Sequence, residues 1–284
     1  MPVLLMTVWL TGCVQEELGS TPSPTGNGIR FTLTVPDVNL PSVSSRTMTG
    51  TGTAKKEDEI ETVDILVFDM SKTPAVYLEC VSATGVTQDL ADNSTVSFSA
   101  VLSPTTASTC IVVVANKELD NIVPGFIKGT TTKVEAMEKM LHAQTGKWLA
   151  DGSTTDGYTR IPMYGEKVIS KITPSMDPIT GINMKRMLAR IDIRNNSATS
   201  NFTVEEVYLA NYNTTGYIAP AWNTNGQVTD PAPDTPVLPV NSGKMTEEGD
   251  AILYSVNGNT PYEGEIYTFE SIAAEDVGGV GQDG

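Results

Sequence analysis

Histidine is almost missing from this chain: His142 is the one imidazole in 284 residues. That excludes a metal centre built on several histidines, and any Ser-His-Asp arrangement would have to draw on this single side chain. No G-x-S-x-G, H-E-x-x-H or glycine-rich phosphate loop occurs either. Basic residues are scarce, 18 Lys and Arg against 34 Asp and Glu, for a net charge of −16. Without a basic patch the chain does not suit a nucleic-acid partner, and its acidity serves solubility and repulsion. With so many carboxylates a glycosidase-like pair arises by chance, so none can be singled out. The stretch from Asp151 to Gly157 lacks the acidic spacing and terminal glutamate of an EF-hand and reads as a solvated turn. These gaps lead us to expect no enzyme: no catalytic residue, no metal site and no cofactor.

Long apolar runs are also missing. The stretch from Pro2 to Leu10 falls far short of the ~20 residues that a membrane-spanning helix needs, but it suits the hydrophobic part of a secretory signal. It closes on Leu10-Thr11-Gly12-Cys13, which resembles a bacterial lipobox. Cys13 is then the expected lipidation site, and two or more acyl chains at ~0.8 kcal/mol per CH2 would give stable anchoring in the outer membrane. Gln15-Glu16-Glu17 follows at once and resembles the surface-export signal of Bacteroidota lipoproteins. No Lys or Arg precedes the apolar run, which points to a start upstream of Met1.

The remaining sequence is organised as short strands and turns. Residues 18–27 are small, polar and proline-rich, the composition of a flexible tether. Ile29, Phe31, Leu33 and Val35 then alternate with Arg30, Thr32 and Thr34, the period of a half-buried strand. The segment 41–59 has no apolar periodicity and carries Arg46 between small residues, as an exposed loop open to proteolysis would. Further strands are expected at 59–70, 76–82, 96–102 and 110–115, the last so valine-rich that both faces should be buried. Thr132-Lys133-Val134-Glu135 has the pattern of a capping box, and Val134, Met137 and Leu141 fall on one helical stripe.

Beyond a proline- and glycine-containing patch at 173–181, residues 183–194 fit a helix or a strand, the second half favouring a strand. Strands are also expected at 204–212, 251–256 and 265–269, around a long polar insertion at 223–249. Few helices and many short strands indicate an all-β chain with minor α content, organised as two β-sandwiches. The division follows as a signal at 1–13, a tether and first strand at 14–46, one sandwich at 47–175 and a second at 176–284.

With Cys13 assigned to lipid, Cys80 and Cys110 remain, either as a disulfide or as two buried thiols. Trp222 with Tyr217 or Tyr212 would make a stacking platform for glycans, core filling being the competing use of these rings.

Taken in order, several segments resemble the FimA-like fimbrillin family of Bacteroidota, the subunits of type V pili. They are the lipobox ending at Cys13, the Ser44-Ser45-Arg46-Thr47 loop, EIETVDILVFD at 59–69, IVVVANKE at 111–118, RIPMYGE at 160–166, MKRMLARIDI at 184–193 and IYTFES at 266–271. The resemblance implies two tandem transthyretin-like β-sandwich domains, export as a lipoprotein to the cell surface, and a place in a fimbrium that mediates adhesion. It also implies cleavage between Arg46 and Thr47 by an arginine-specific protease, with other fimbrial subunits as partners; no receptor is specified. Cleavage would take away the strand bearing Ile29, Phe31, Leu33 and Val35, leaving an apolar groove for a donor strand. Family members continue well past the IYTFES-like strand, so the second domain is expected to be truncated here; a complete chain of this length would accept a strand but have none to give, which would suit a terminal subunit. A reading from another class is a surface glycan-binding lipoprotein of β-sandwich type.

Overall fold

A computed structural model describes residues 28–35, 57–88, 95–144, 146–148, 159–194, 206–229, 237–239, 252–255 and 263–271. Cys13, Arg46, Thr47 and the turn at Asp151 to Gly157 lie outside the described residues. The described chain is mostly β, with one short α-helix. Its strands are β1 (Ile29–Thr34), β2 (Val63–Asp69), β3 (Val76–Ser82), β4 (Thr84–Gln88), β5 (Thr95–Ala100) and β6 (Thr109–Ala115). Helix α1 (Lys133–Lys139) follows, then β7 (Leu141–Ala143), β8 (Met163–Ile169), β9 (Ile179–Asn183), β10 (Lys185–Arg186) and β11 (Leu188–Arg194). The last elements are β12 (Glu206–Leu209), β13 (Thr215–Tyr217), β14 (Ile252–Ser255) and β15 (Glu263–Phe269).

Two sheets face each other. One has the order β4-β5-β1-β9 and the other β10-β8-β6-β2-β3. Between them lie Phe31, Leu33, Val96, Phe98, Ile65, Val67, Ile111, Val113 and Ile182. The opposite face of the five-stranded sheet is covered as well: Leu66, Phe68, Val112, Val114 and Tyr164 pack with Met137, Trp148, Ile218, Tyr267 and Phe269. Burial on both faces is why Thr109–Ala115 reads as a continuous apolar run, all seven residues being buried. The later strands pair as two-stranded ribbons, β11 with β15, β12 with β14 and β13 with β7. Val207, Leu209, Tyr212, Ile252 and Ile266 form a small core of their own there.

Two local expectations change. The strand read from Glu59 begins at Val63, because the preceding backbone is taken up by side chains instead of a ladder. Helix α1 does carry both arms of the capping box, Thr132 and Glu135 each bonding the other's backbone N–H. It stops at Lys139, however, so Leu141 belongs to β7 and the buried stripe is Lys133, Ala136 and Met137, continued by Met140 at the C-cap. Residues 185–194 resolve to strands β10 and β11, separated by a bend at Met187.

Cys80 and Cys110 are free thiols. Cys80 stands opposite Leu66 on β3 and Cys110 opposite Phe68 on β6, with β2 between them, too far apart for a disulfide. Burial pushes both thiols up to about 12, which makes them poor nucleophiles.

Candidate functional site

Strand β1 sits in the interior of its sheet, antiparallel to β5 and parallel to β9. Alternation puts Ile29, Phe31, Leu33 and Val35 into the core, each at most 5 % exposed, while Arg30 and Thr34 face out. Opposite them on β5 stand Ala100, Phe98 and Val96, in register with Ile29, Phe31 and Leu33. The rings of Phe31 and Phe98 lie 5.0 Å apart and nearly parallel, at 8°. On the β9 side, Phe31 pairs with Ile179 and Leu33 with Ile182 across a bulge, and the Thr34 carbonyl accepts from the Met184 N–H at 2.9 Å.

At roughly 1.5–3 kcal/mol for each large apolar side chain, the four inward residues contribute on the order of 6–12 kcal/mol of burial before entropy. Losing β1 would also strip both neighbouring strands of backbone partners, since it bonds on its two edges.

The wall beside this strand depends on a glycine. After β9 the chain crosses from one sheet to the other over Gly165 of β8. A Cβ there would lie 2.7 Å from Met184 Sδ and 2.8 Å from Ile182 Cγ2, so a larger residue forces the crossing chain to shift.

Residues 57–61, between the described end of β1 and the start of β2, are held in another way. The Glu57 carboxylate accepts from Arg190 Nη1 at 2.7 Å and from the Tyr267 hydroxyl, and its side chain is buried. The guanidinium of Arg186 donates to the Glu57 carbonyl at 3.2 Å and to Asp58 Oδ1 at 2.6 Å. Gln88 receives the Ile60 N–H at 3.0 Å and donates to the Asp58 carbonyl at 2.7 Å. Asn116, at φ 58°, receives the Glu61 N–H at 3.0 Å and donates to the Glu59 and Ile161 carbonyls at 2.7 and 3.0 Å. Arg160 closes the set with ion pairs to Glu59 and Glu61 at 3.1 and 2.7 Å.

Other residues singled out by sequence fall elsewhere. His142 packs against Trp148 and Phe269 at ring distances of 5.1 and 6.5 Å, and burial, helped by Lys117, lowers it to about 4. It therefore sits neutral within an aromatic cluster. Tyr217 and Trp222 do meet, at 4.9 Å, but edge to face at 76°, so the two rings do not form one flat platform; Tyr212 is buried in the small core. Beside Tyr217 a cavity of about 170 Å³ runs along Lys185, Arg186, Leu238 and Glu270. That is smaller than the roughly 300–1,000 Å³ of most ligand clefts.

Sequence reading found β1 and its inward residues but missed the two partners that define the site. Strand β9 hides in a patch where proline and glycine dominate, its signal reduced to Ile179 and Ile182. The ties around Glu57 leave no local pattern at all, because they join residues up to 210 positions apart.

Comparison with known proteins adds a family. The family model described as "Fimbrillin-A associated anchor proteins Mfa1 and Mfa2" matches residues 23–276. Among curated proteins nothing matches. Solved structures similar to this chain include a fimbrial assembly protein from Parabacteroides distasonis, at 13 % identity and TM-score 0.37, covering 84 % of this chain and 85 % of that one. Another is a protein from the same organism described as a candidate for cell adhesion, at 18 % identity and TM-score 0.44, covering 88 % and 73 %. A third, from Bacteroides thetaiotaomicron and described as a candidate polysaccharide-binding protein, has 12 % identity and TM-score 0.42, covering 87 % and 73 %.

Proposed function

Because the chain belongs to the family of fimbrillin-A associated anchor proteins Mfa1 and Mfa2, we propose that it is exported as a lipoprotein and, once cut from its lipidated segment, works as a fimbrial subunit that receives a strand from a neighbouring subunit in place of β1. The chain is a fimbrial structural protein and not an enzyme, associated with fimbrial subunits at the cell surface. In the reading proposed here, acyl chains on Cys13 hold the precursor to the outer membrane until an arginine-specific protease cuts between Arg46 and Thr47, which frees the chain from its lipid, and the strand carrying Ile29, Phe31, Leu33 and Val35 is exchanged. The family's description as anchor proteins favours a terminal place over the shaft. Two tandem transthyretin-like sandwiches remain the proposed architecture of the whole chain.

The observation that supports this most is the interior position of β1. A strand at the start of the chain, bonded on both edges and buried by four alternating side chains, can be removed as a unit to leave a slot of defined shape. Such a slot is a template for β-strand addition. Contacts of that head-to-tail kind, repeated, build open filaments.

The test is to treat the chain from residue 14 onward with an arginine-specific protease in the presence of fimbrial subunits, then read the new N-terminus and the particle size. A start at Thr47 in particles larger than the monomer supports the proposal. First cleavage elsewhere, or an Arg46→Ala variant that assembles as well as the parent, contradicts it.

A further inference from the structure

Lys133 opens helix α1, and its side chain is only 2 % exposed. A cation is out of place there on two counts. The N-terminus of a helix carries positive partial charge, and an ammonium withdrawn from water needs partners for its protons. Those partners come from distant parts of the chain. Glu166 Oε2, on β8, and the Gly226 carbonyl each accept from Nζ at 2.5 Å, and the Cys110 thiol lies beside them. The same Glu166 oxygen receives the Tyr164 hydroxyl at 2.6 Å, and its Oε1 receives the Val228 N–H at 3.4 Å.

Gly226 and Val228 belong to a turn shaped by its own residues. Asn223 Oδ1 accepts from the Asn225 and Gln227 N–H groups at 2.9 and 3.1 Å, the Gly226 N–H donates to the Asn223 carbonyl at 2.9 Å, and Trp222 bridges to Val228. Gly226 is buried between exposed neighbours, at φ 73°. A Cβ on it would lie 3.2 Å from both Lys133 Cβ and Val134 N, so the turn rests on the start of α1 in a conformation that favours glycine. On either side of it Trp222 and Val228 pack against the core on the outer face of the five-stranded sheet.

We propose that Lys133 is a positioning residue: with Glu166 it forms a buried latch that fixes the turn at 222–228 on the outer face of the five-stranded sheet, and so sets where the chain after β13 lies on the sandwich. An apolar pair would cover that face as well, and exchanging a buried ion pair for apolar side chains of similar size is often neutral for stability. What an apolar pair lacks is direction. Nζ and the carboxylate bond one carbonyl and one N–H of the turn, so a shifted turn leaves buried polar groups without partners. The latch contributes placement more than stability.

Amide hydrogen exchange followed by NMR on the full chain tests this, with the urea midpoint measured alongside. The informative amides are those of Gly226, Gln227 and Thr229, whose acceptors are Asn223 and Ala221 and so survive removal of the latch. In the double variant Lys133→Met, Glu166→Leu these three are expected to exchange about tenfold faster, while Val112 and Val114 of β6 keep the parent's rates and the urea midpoint stays near the parent's. Unchanged exchange at all three overturns the proposal. Equal acceleration at Val112 and Val114 overturns it too, because the pair would then support the whole sandwich instead of locating the turn. Should the double variant fail to fold, Glu166→Gln keeps an acceptor for Tyr164 and loses the charge opposite Lys133. It is expected to speed the same three amides by about a few-fold, and parent rates there are equally decisive against the latch.

Discussion

Strand β1 and residues 57–61 lie on either side of one stretch of chain and are secured by opposite means. The strand is held by a backbone ladder on two edges and by apolar side chains that are at most 5 % exposed. The segment has no ladder and is held through its own carboxylates and backbone by guanidinium groups and amides reaching in from elsewhere. The difference matters because a ladder with alternating pockets is generic: any strand with apolar residues at the same spacing satisfies it. Side-chain ties are specific to the groups that make them. The hold on one region is therefore generic, and the hold on the other is specific to particular groups.

The largest test of that contrast is Phe31→Asp. Losing the ring against Phe98 and burying a carboxylate should cost at least 3–5 kcal/mol of stability, roughly, in the intact protein. Urea unfolding of the processed, strand-exchanged form should show no loss, since the residue is gone; equal losses in both forms would mean that β1 is never removed.

Next comes Asn116→Ala, which deletes three hydrogen bonds and puts alanine at a positive φ. A loss of about 2–3 kcal/mol is expected, and Asn116→Gly should recover about 1 kcal/mol by relieving the backbone while leaving the bonds missing. If glycine restored everything, the side-chain ties would be energetically idle.

A third region, the aromatic cluster around His142, sharpens the comparison through pH. Burial against Trp148 and Phe269, with the positive charge of Lys117 and against the opposing hydrogen bond from Gln144, lowers the folded value of the imidazole to about 4 from 6.5 when free. The unfolded chain binds the proton first. The stability contribution is thus complete above about pH 6.5, declines as the pH falls from there towards 4, and levels off below. Urea midpoints of the parent protein should drop more steeply over that window than those of His142→Gln; parallel curves would show that the imidazole titrates freely.

The smallest effect belongs to Arg160. Its partner Glu61 is 60 % exposed, so Arg160→Ala should cost at most about 1 kcal/mol, much of it erased in 1 M salt, whereas the buried Glu57–Arg190 pair should be nearly indifferent to salt. Equal salt sensitivity would place both pairs at the surface.

What could be read from sequence follows the same division. Alternation at Ile29 to Val35, the valine run to Ala115 and the capping box at Thr132 are local patterns, and each appears as an element close to its expected bounds. The helix stripe slipped because Met140 ends the helix, a termination with no glycine or proline to mark it. Strand β9 escaped notice since a five-residue parallel strand holding Gly181 has little periodicity to offer. Glu57 escaped for a deeper reason. An acidic residue next to Lys56 and Asp58 looks solvated, and only the fold brings Arg190 and Tyr267 to it and buries it.

The central claim is that β1 can be replaced by a strand of another subunit. The most direct measurement is the mass of this chain isolated from assembled fimbriae under denaturing conditions. A chain beginning at Thr47, free of residues 14–46, is the predicted result. A chain from assembled fimbriae that still carries residues 28–35 would contradict it.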